Sequence, residues 1–125
     1  MLPAQARLRR RPEFTAVVRS GRRAGRPTMV LHYLPERPVA LTPRHAGAAG
    51  GPRAGFVVGR AVGNSVVRHR VTRRLRAVVL EQLDRLPATA DVVVRARPEA
   101  AAATSADLRR DLTAGLDRVL RVRTP

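Results

Sequence analysis

The sequence predicts a single α/β domain in which helices cover a small sheet. Residues 28–34, 54–60 and 91–96 are short runs rich in β-branched and aromatic side chains and bounded by turn residues, which is typical of strands. The stretches after Asn64 and Ser105 repeat apolar side chains every three or four positions, which indicates amphipathic helices. A helix between the second and third of these strands forms a crossover, so we expect both strands in one sheet.

The amino-terminal part of the chain supplies an arm and a first helix. Residues 1–12 are rich in arginine and predict a flexible basic arm. Pro12 and Glu13 fit the first turn of a short helix that ends near residue 19. Residues 22–27 predict a basic turn, with a short strand as the alternative.

A stretch of Gly, Ala and Pro separates the first two predicted strands. Residues 39–53 contain little that a core could bury, and the segment 43–53 predicts a mobile loop. The rest of the chain shows no internal repeat and no boundary in composition. We therefore expect one domain over residues 1–125.

The central stretch, residues 59–83, combines a helix start with two chemically different faces. Asn64 suits the N-cap, because its side-chain oxygen can accept an amide proton of the first turn. One helix face is apolar and consists of Val67, Val71, Leu75, Val78 and Val79. The opposite face carries His69, Arg70, Arg73 and Arg76, with Arg68 and Arg74 on its flanks. We expect the first face to pack on the sheet and the second to meet a polyanion.

Charge is concentrated in the same part of the chain. Residues 1–76 contain 17 Arg against two acids, whereas residues 77–125 contain 8 Arg against seven acids. The formal net charge of the chain is +16, which implies an anionic partner such as nucleic acid or a membrane surface. The apolar face of the central helix is mainly Val rather than the bulky side chains of interfacial helices, so nucleic acid is favoured.

Composition argues against several other classes. The chain has no cysteine, which excludes disulfides, thiol nucleophiles and cysteine-ligated metals. No apolar run approaches the roughly 20 residues of a membrane span, and no apolar stretch follows the first arginines, so we expect a cytoplasmic protein. The few acids are scattered, so neither a carboxylate-based hydrolase nor a two-metal site is expected. We expect His32 to be packed in its strand and His45 to be solvated in the loop.

The sequence of residues 59–76, GRAVGNSVVRHRVTRRLR, resembles the signature of the bacterial ribonuclease P protein subunit, an arginine-rich helix introduced by Gly-Asn. The similarity extends through RLRRRPEFTAVVRSG, VLHYLP, RAGFVVGRAVGN and DVVVRARP, and so covers nearly the whole chain in the expected order. It implies an α/β (α+β) two-layer sandwich of the ribosomal protein S5 domain 2-like type, with the order α-β-β-β-α-β-α. The crossover in that fold is left-handed, although such units are right-handed in general.

The resemblance also implies a function. Such a protein assists a catalytic RNA that removes the 5′ leader from precursor tRNA by Mg²⁺-dependent hydrolysis. Its partners would be that RNA subunit, in a 1:1 complex with one protein monomer, and precursor tRNA, with no role for DNA or membranes. Mg²⁺ would be held mainly by the RNA, and the protein would contribute no catalytic or metal-binding residue.

The site residues that the resemblance implies fall into two groups. The RNA-subunit-binding group is Asn64, Arg68, His69, Arg70, Arg73, Arg74 and Arg76. The leader-binding cleft is Phe14, Val18, His32, Val57 and Arg60. The chain departs from the family pattern at Ala61, His69 and Thr72, where basic residues or Asn are usual, and at Val18 and His32, where aromatic residues are common.

Two other functions fit parts of the sequence. A structural protein that binds ribosomal RNA could share the fold and the charge, but it would show no preference for a leader-bearing tRNA. A stand-alone protein nuclease would need acids that the basic part of the chain does not supply.

Overall fold

The computed structural model describes residues 2–38 and 51–121. In chain order the elements are α1 (Arg11–Ser20), β1 (Arg22–Gly25), β2 (Met29–Leu34), β3 (Arg53–Val57), α2 (Ser65–Gln82), β4 (Asp91–Ala96) and α3 (Ser105–Leu120). Short 3-10 turns cover Ala4–Ala6, Leu83–Arg85 and Pro98–Ala102. This is the α-β-β-β-α-β-α order that the sequence predicts.

The strands form one sheet in the order β1-β2-β4-β3. The pairs β1–β2 and β2–β4 are antiparallel, whereas β3 and β4 are parallel and are joined by α2. This arrangement confirms the expected strand-helix-strand crossover between neighbouring strands. The left-handed sense of the crossover stays a prediction.

Helices lie on both faces of the sheet. Side chains alternate between the faces along each strand, and Leu31 and Val94 belong to the large core cluster that also contains Leu75 of α2 and Leu112 of α3. The opposite face carries Val93, which packs with residues of α1 and the amino-terminal segment in a second, smaller cluster. Val57 on β3 and Arg95 on β4 stay exposed on this side, so α1 covers only part of its face, and we call the uncovered surface beside α1 the cleft.

The start of α2 confirms the capping prediction. The side-chain oxygen of Asn64 accepts a hydrogen bond from the amide of Val67 at 3.0 Å. Gly63 has a φ angle of +156°, and a Cβ at this position would lie 2.9 Å from the side chain of Val67, so the turn requires glycine. The predicted apolar face is buried at Val71, Leu75, Val78 and Val79, while Val67 is partly buried against the core.

α3 begins where the sequence places it. The Thr104 hydroxyl accepts a hydrogen bond from the Asp107 amide at 3.1 Å, and the Asp107 carboxylate accepts one from the Thr104 amide at 3.0 Å. These reciprocal bonds form a capping box, which satisfies two amides of the helix start.

The amino-terminal arm differs from its prediction. Residues 1–12 were expected to be flexible, but Leu2, Ala6 and Leu8 are buried, and the amide of Leu8 donates to the carbonyl of Ala54 at 2.9 Å. The apolar residues between the arginines give this segment a packing face, which the arginine content obscures. α1 also begins at Arg11, because Glu13 accepts hydrogen bonds from the amides of Arg9 and Arg10 and so closes its first turn.

Two strand boundaries also differ. β3 ends at Val57 rather than near residue 60, because the amide of Val62 donates to the carbonyl of Gly59 and begins a pair of turns. The basic segment 22–27 contains a short strand, which was the alternative to a turn, because β1 pairs with β2 throughout its length. The predicted loop, residues 43–53, lies outside the described residues up to residue 50, as does His45.

Candidate nucleic-acid interface

One face of α2 collects the residues predicted to bind RNA. We call Asn64, Arg68, His69, Arg70, Arg73, Arg74 and Arg76 the α2 basic face. His69 and Arg73 are exposed, whereas the other four arginines are half-buried. Within the described residues, none of these arginines lies within ion-pair distance of an acid. Their charge is therefore available to an outside anion.

Two arginines of this face also have internal partners. Arg70 donates to the carbonyl of Ala101 at 3.1 Å, and Arg74 donates to the carbonyl of Ala103 at 2.8 Å. Both carbonyls lie at or just beyond the 3-10 turn Pro98–Ala102, so these side chains fasten that turn to α2. Each guanidinium has five donors. Arg70 and Arg74 can therefore hold the turn and still present donors to a phosphate.

The amino-terminal half of the α2 basic face borders a shallow depression. Its volume is about 390 Å³, and it is lined by Ser65, Val66, His69, Arg70 and Arg73. Val66 is 73% exposed, which is unusual for a large apolar side chain on a helix of this protein. The depression therefore combines an exposed apolar side chain with two arginines.

The second predicted group borders the cleft between α1 and the sheet. The ring of Phe14 lies so close to the sheet that a Cβ on Gly55 would be 2.5 Å from its Cζ atom. Val18 on α1 and Val57 on β3 are each 38% exposed and form apolar parts of the walls. The structure thus brings together an aromatic ring and exposed apolar side chains, which is the surface a nucleobase can stack on.

His32 lies on the same face of the sheet, and charged neighbours surround it. Its Cα pairs with those of Arg23 on β1 and Val93 on β4. Burial lowers the pKa of His32, and the charges of Arg95 and Arg23 lower it further. The imidazole is therefore neutral at neutral pH, and its Nε2 atom has no hydrogen-bond partner within the described residues.

Arg60 stands apart from the other cleft residues. It is exposed and lies in the turn between β3 and α2, where its carbonyl accepts a hydrogen bond from the amide of Gly63. Along the chain it therefore connects the cleft to the α2 basic face instead of lining the floor of the sheet.

Sequence reasoning missed the arginines that flank the cleft. Arg95 is exposed in a strand whose other residues are buried, and it pairs in register with Val57 and Val30. The one basic residue in the run DVVVRA was the available indication. Arg23 could not be assigned in this way, because only the pairing of β1 with β2 places it beside His32.

Six of the nine carboxylates are held in structural contacts. Arg53 binds Glu13 at 2.8 Å and Asp91 at 2.8 Å, and all three side chains are buried. Among the described residues, no three His, Asp or Glu side chains come together as a possible metal site.

No helix within the described ranges is both long enough and apolar enough to cross a bilayer.

The chain matches one family along almost its entire length. The Ribonuclease P family model matches residues 2–120. The ribonuclease P protein component of Corynebacterium diphtheriae is 50% identical over 123 residues, which cover 98% of this chain and 100% of that protein. The Streptomyces bikiniensis protein of the same name is 52% identical over 121 residues, covering 96% of each chain. The structure of the Staphylococcus aureus RNase P protein superimposes with a TM-score of 0.73 at 19% identity, covering 93% of this chain and 98% of that one. This chain belongs to the ribonuclease P protein family.

Proposed function

We propose that this protein is the RNA-binding subunit of a ribonuclease P ribonucleoprotein, which removes the 5′ leader from precursor tRNA. The observation that carries the proposal is the presence of two surfaces of different character, separated by the sheet. The α2 basic face is cationic, whereas the cleft beside α1 has an aromatic and apolar lining flanked by Arg23 and Arg95.

The α2 basic face suits a folded RNA. Its arginines lie in a row on one helix and lack acidic partners in the described chain, so several can neutralise phosphates at once. The planar guanidinium fork matches phosphate oxygens better than a point charge would. We assign this face to the catalytic RNA subunit.

The cleft suits a single-stranded leader. Unpaired bases expose π-faces, which stack on aromatic side chains such as Phe14 with little dependence on sequence. Arg95 and Arg23 flank the cleft and supply charge for the phosphates of the same strand. A protein that holds the leader here and the RNA subunit on α2 brings two polyanions together, because its own charge offsets their repulsion.

In this proposal the chemistry belongs to the RNA. The RNA would hold the Mg²⁺ that activates the hydrolytic water, while the protein contributes binding and orientation. Six of the nine acids are engaged within the fold, and three of them, Glu13, Asp91 and Asp111, are buried. These contacts support a subunit that supplies no catalytic carboxylate. We further propose a cytoplasmic monomer bound 1:1 to its RNA.

The test compares precursor with mature tRNA. The protein is assembled with its RNA subunit, and the affinity for both tRNAs is measured alongside cleavage at low and high Mg²⁺. We expect tighter binding of the precursor and a lower Mg²⁺ requirement than for the RNA alone. Equal affinity for both tRNAs would contradict leader binding and would instead favour a structural RNA-binding role.

A further inference from the structure

A third cationic surface lies at the outer edge of β1, beside the cleft, and shares Arg23 with the flank of the cleft. Five arginines, Arg22, Arg23, Arg26, Arg118 and Arg121, line a depression of about 800 Å³ together with Ala114 and Val119. We call these five arginines the β1-edge patch. Arg26 is half-buried and the other four are exposed. Among the described residues, no acidic side chain lines the depression, so five like charges border it.

Protection of the sheet edge does not account for this patch. Charged side chains on an exposed edge strand discourage pairing with another chain, and β1 is such a strand. That explanation leaves out Arg118 and Arg121, which come from α3 and its carboxyl-terminal end. The two sets converge because Arg22 donates to the carbonyl of Val119 at 2.8 Å, which fixes the edge strand against the end of the helix.

The other arginines of α3 show that this helix can neutralise its cations. Arg109 binds Glu81 at 2.7 Å, and Arg110 lies 3.6 Å from Asp107. Even Asp117, the neighbour of Arg118, binds Arg85 instead. Within the described ranges, neither Arg118 nor Arg121 forms an ion pair. The unpaired charge is therefore confined to the end of α3 that meets β1.

The patch adjoins the cleft through Arg23. In register, Arg23 pairs with His32, His32 with Val93, and Val93 with Gly55, against which Phe14 rests. This row crosses the sheet from β3 to β1 over three strand spacings, about 14 Å in all. A single RNA strand that stacks on Phe14 and follows this row of residues leaves the sheet at Arg23. Arg23 is itself part of the β1-edge patch.

We propose that the β1-edge patch binds the phosphates of the distal leader, continuing the single-strand path beyond the cleft. The inference rests on the proposed function, since it requires a leader in the cleft. The partner is single-stranded RNA, recognised through its phosphate backbone and without base specificity. The contact adds affinity only for leaders long enough to pass the edge of the sheet.

The test uses Arg118→Gln/Arg121→Gln, which removes two charges from the patch and leaves the cleft and α2 untouched. The matched control is Arg109→Gln/Arg110→Gln, with the same charge change elsewhere on the same helix. Each full-length variant is assembled with the RNA subunit, and affinity is measured for precursor tRNAs with leaders of about three and about ten nucleotides, lengths that differ by several binding positions. Circular dichroism verifies that the variants are folded.

For the patch variant we expect a loss on the order of tenfold for the long leader at physiological salt, since two single-strand phosphate contacts disappear. The short leader should bind as it does to the unaltered protein, and the control should match the unaltered protein on both. An equal loss for both leaders would overturn the assignment to the leader and place the contact on another RNA segment. No loss for either leader would overturn the site altogether.

The unaltered protein separates this inference from the proposed function. If it prefers precursor over mature tRNA while the patch variant behaves normally, only the inference fails. If the unaltered protein shows no such preference, the proposed function fails and the inference falls with it.

Discussion

Gly55 sets how closely the ring of Phe14 can approach the sheet. A methyl group at this position would lie 2.5 Å from Cζ of Phe14, so the ring would have to move out of its place over β3. Phe14 is the aromatic side chain on α1, and in the proposed function its position fixes where a leader base would stack. The absence of a side chain at residue 55 is therefore part of the cleft.

We predict that Gly55→Ala weakens leader binding. Displacing the ring should remove most of one base-stacking contact, which is worth about 1–3 kcal/mol. Gly59→Ala is the matched control, because a Cβ there meets no atom within 4 Å. The measurement is the ratio of precursor to mature tRNA affinity in the assembled ribonucleoprotein. A ratio that is the same in both variants would argue against stacking on Phe14.

At the scale of the helix, the arginines of α2 are not equivalent. Arg73 is exposed, whereas Arg74 donates to the carbonyl of Ala103 and is half-buried. Within the described residues Arg73 makes no internal hydrogen bond or ion pair, so we assign it to an outside partner alone, whereas Arg74 also maintains the fold. Sequence alone cannot separate them, because both belong to the same arginine-rich run.

We predict different consequences for Arg73→Gln and Arg74→Gln. Arg73→Gln should reduce affinity for the RNA subunit and lower the slope of log affinity against log salt by about 0.9, with the unfolding free energy unchanged. Arg74→Gln should also cost about 0.5–1.5 kcal/mol of stability, because it leaves the Ala103 carbonyl without that donor. Urea unfolding and binding at several salt concentrations measure the two effects. Unchanged RNA affinity in Arg73→Gln would contradict the role of this face.

The sequence predicts best those elements that depend only on residues close together in the chain. α2 follows from Asn64, Gly63 and a regular apolar spacing, and β4 follows from a run of valines that the structure reproduces without adjustment. The cleft is different, because its arginines and its glycine come from separate strands. Arg23, Arg95 and Gly55 meet only through the pairing of β1, β2, β4 and β3, which depends on contacts distant in sequence.

The amino-terminal arm also depends on contacts with residues distant in the sequence. Its arginine content predicts flexibility, yet Leu8 packs with Val17 and Val93 beneath α1. Only the tertiary structure provides the apolar surface that this leucine covers. Composition therefore described the charge of the arm correctly but did not reveal its packing.

At the scale of the whole molecule, one buried group of ions joins distant parts of the chain. Arg53 on β3 binds Glu13 on α1 and Asp91 on β4, and Asp91 also lies 3.2 Å from Arg37. Arg37 in turn donates to the carbonyls of Ala88 and Ala90. The group fixes α1 to the sheet, so it stabilises the cleft that we propose for the leader.

We predict that Arg53→Met destabilises the protein by about 3–5 kcal/mol, because it leaves the Glu13 carboxylate buried without its cation. Arg109→Met, which removes the half-exposed pair with Glu81, is the control and should cost less than about 1 kcal/mol. Urea unfolding at neutral pH measures both. A similar small cost for the two substitutions would show that the buried group contributes little.

The pH dependence provides a second measure of the same contact. Burial alone would raise the pKa of Glu13, but hydrogen bonds from the Arg10 and Arg9 amides and the charge of Arg53 outweigh it, so the pKa is lowered. The stability from this carboxylate is therefore present above its unfolded pKa of about 4.3 and is lost as the pH falls through the lower folded value. Without Arg53 the folded pKa rises, so the difference between the unaltered protein and Arg53→Met should be largest at neutral pH and shrink below about pH 4. A difference that stays constant down to acid pH would show that Arg53 acts through packing rather than through the charge of Glu13.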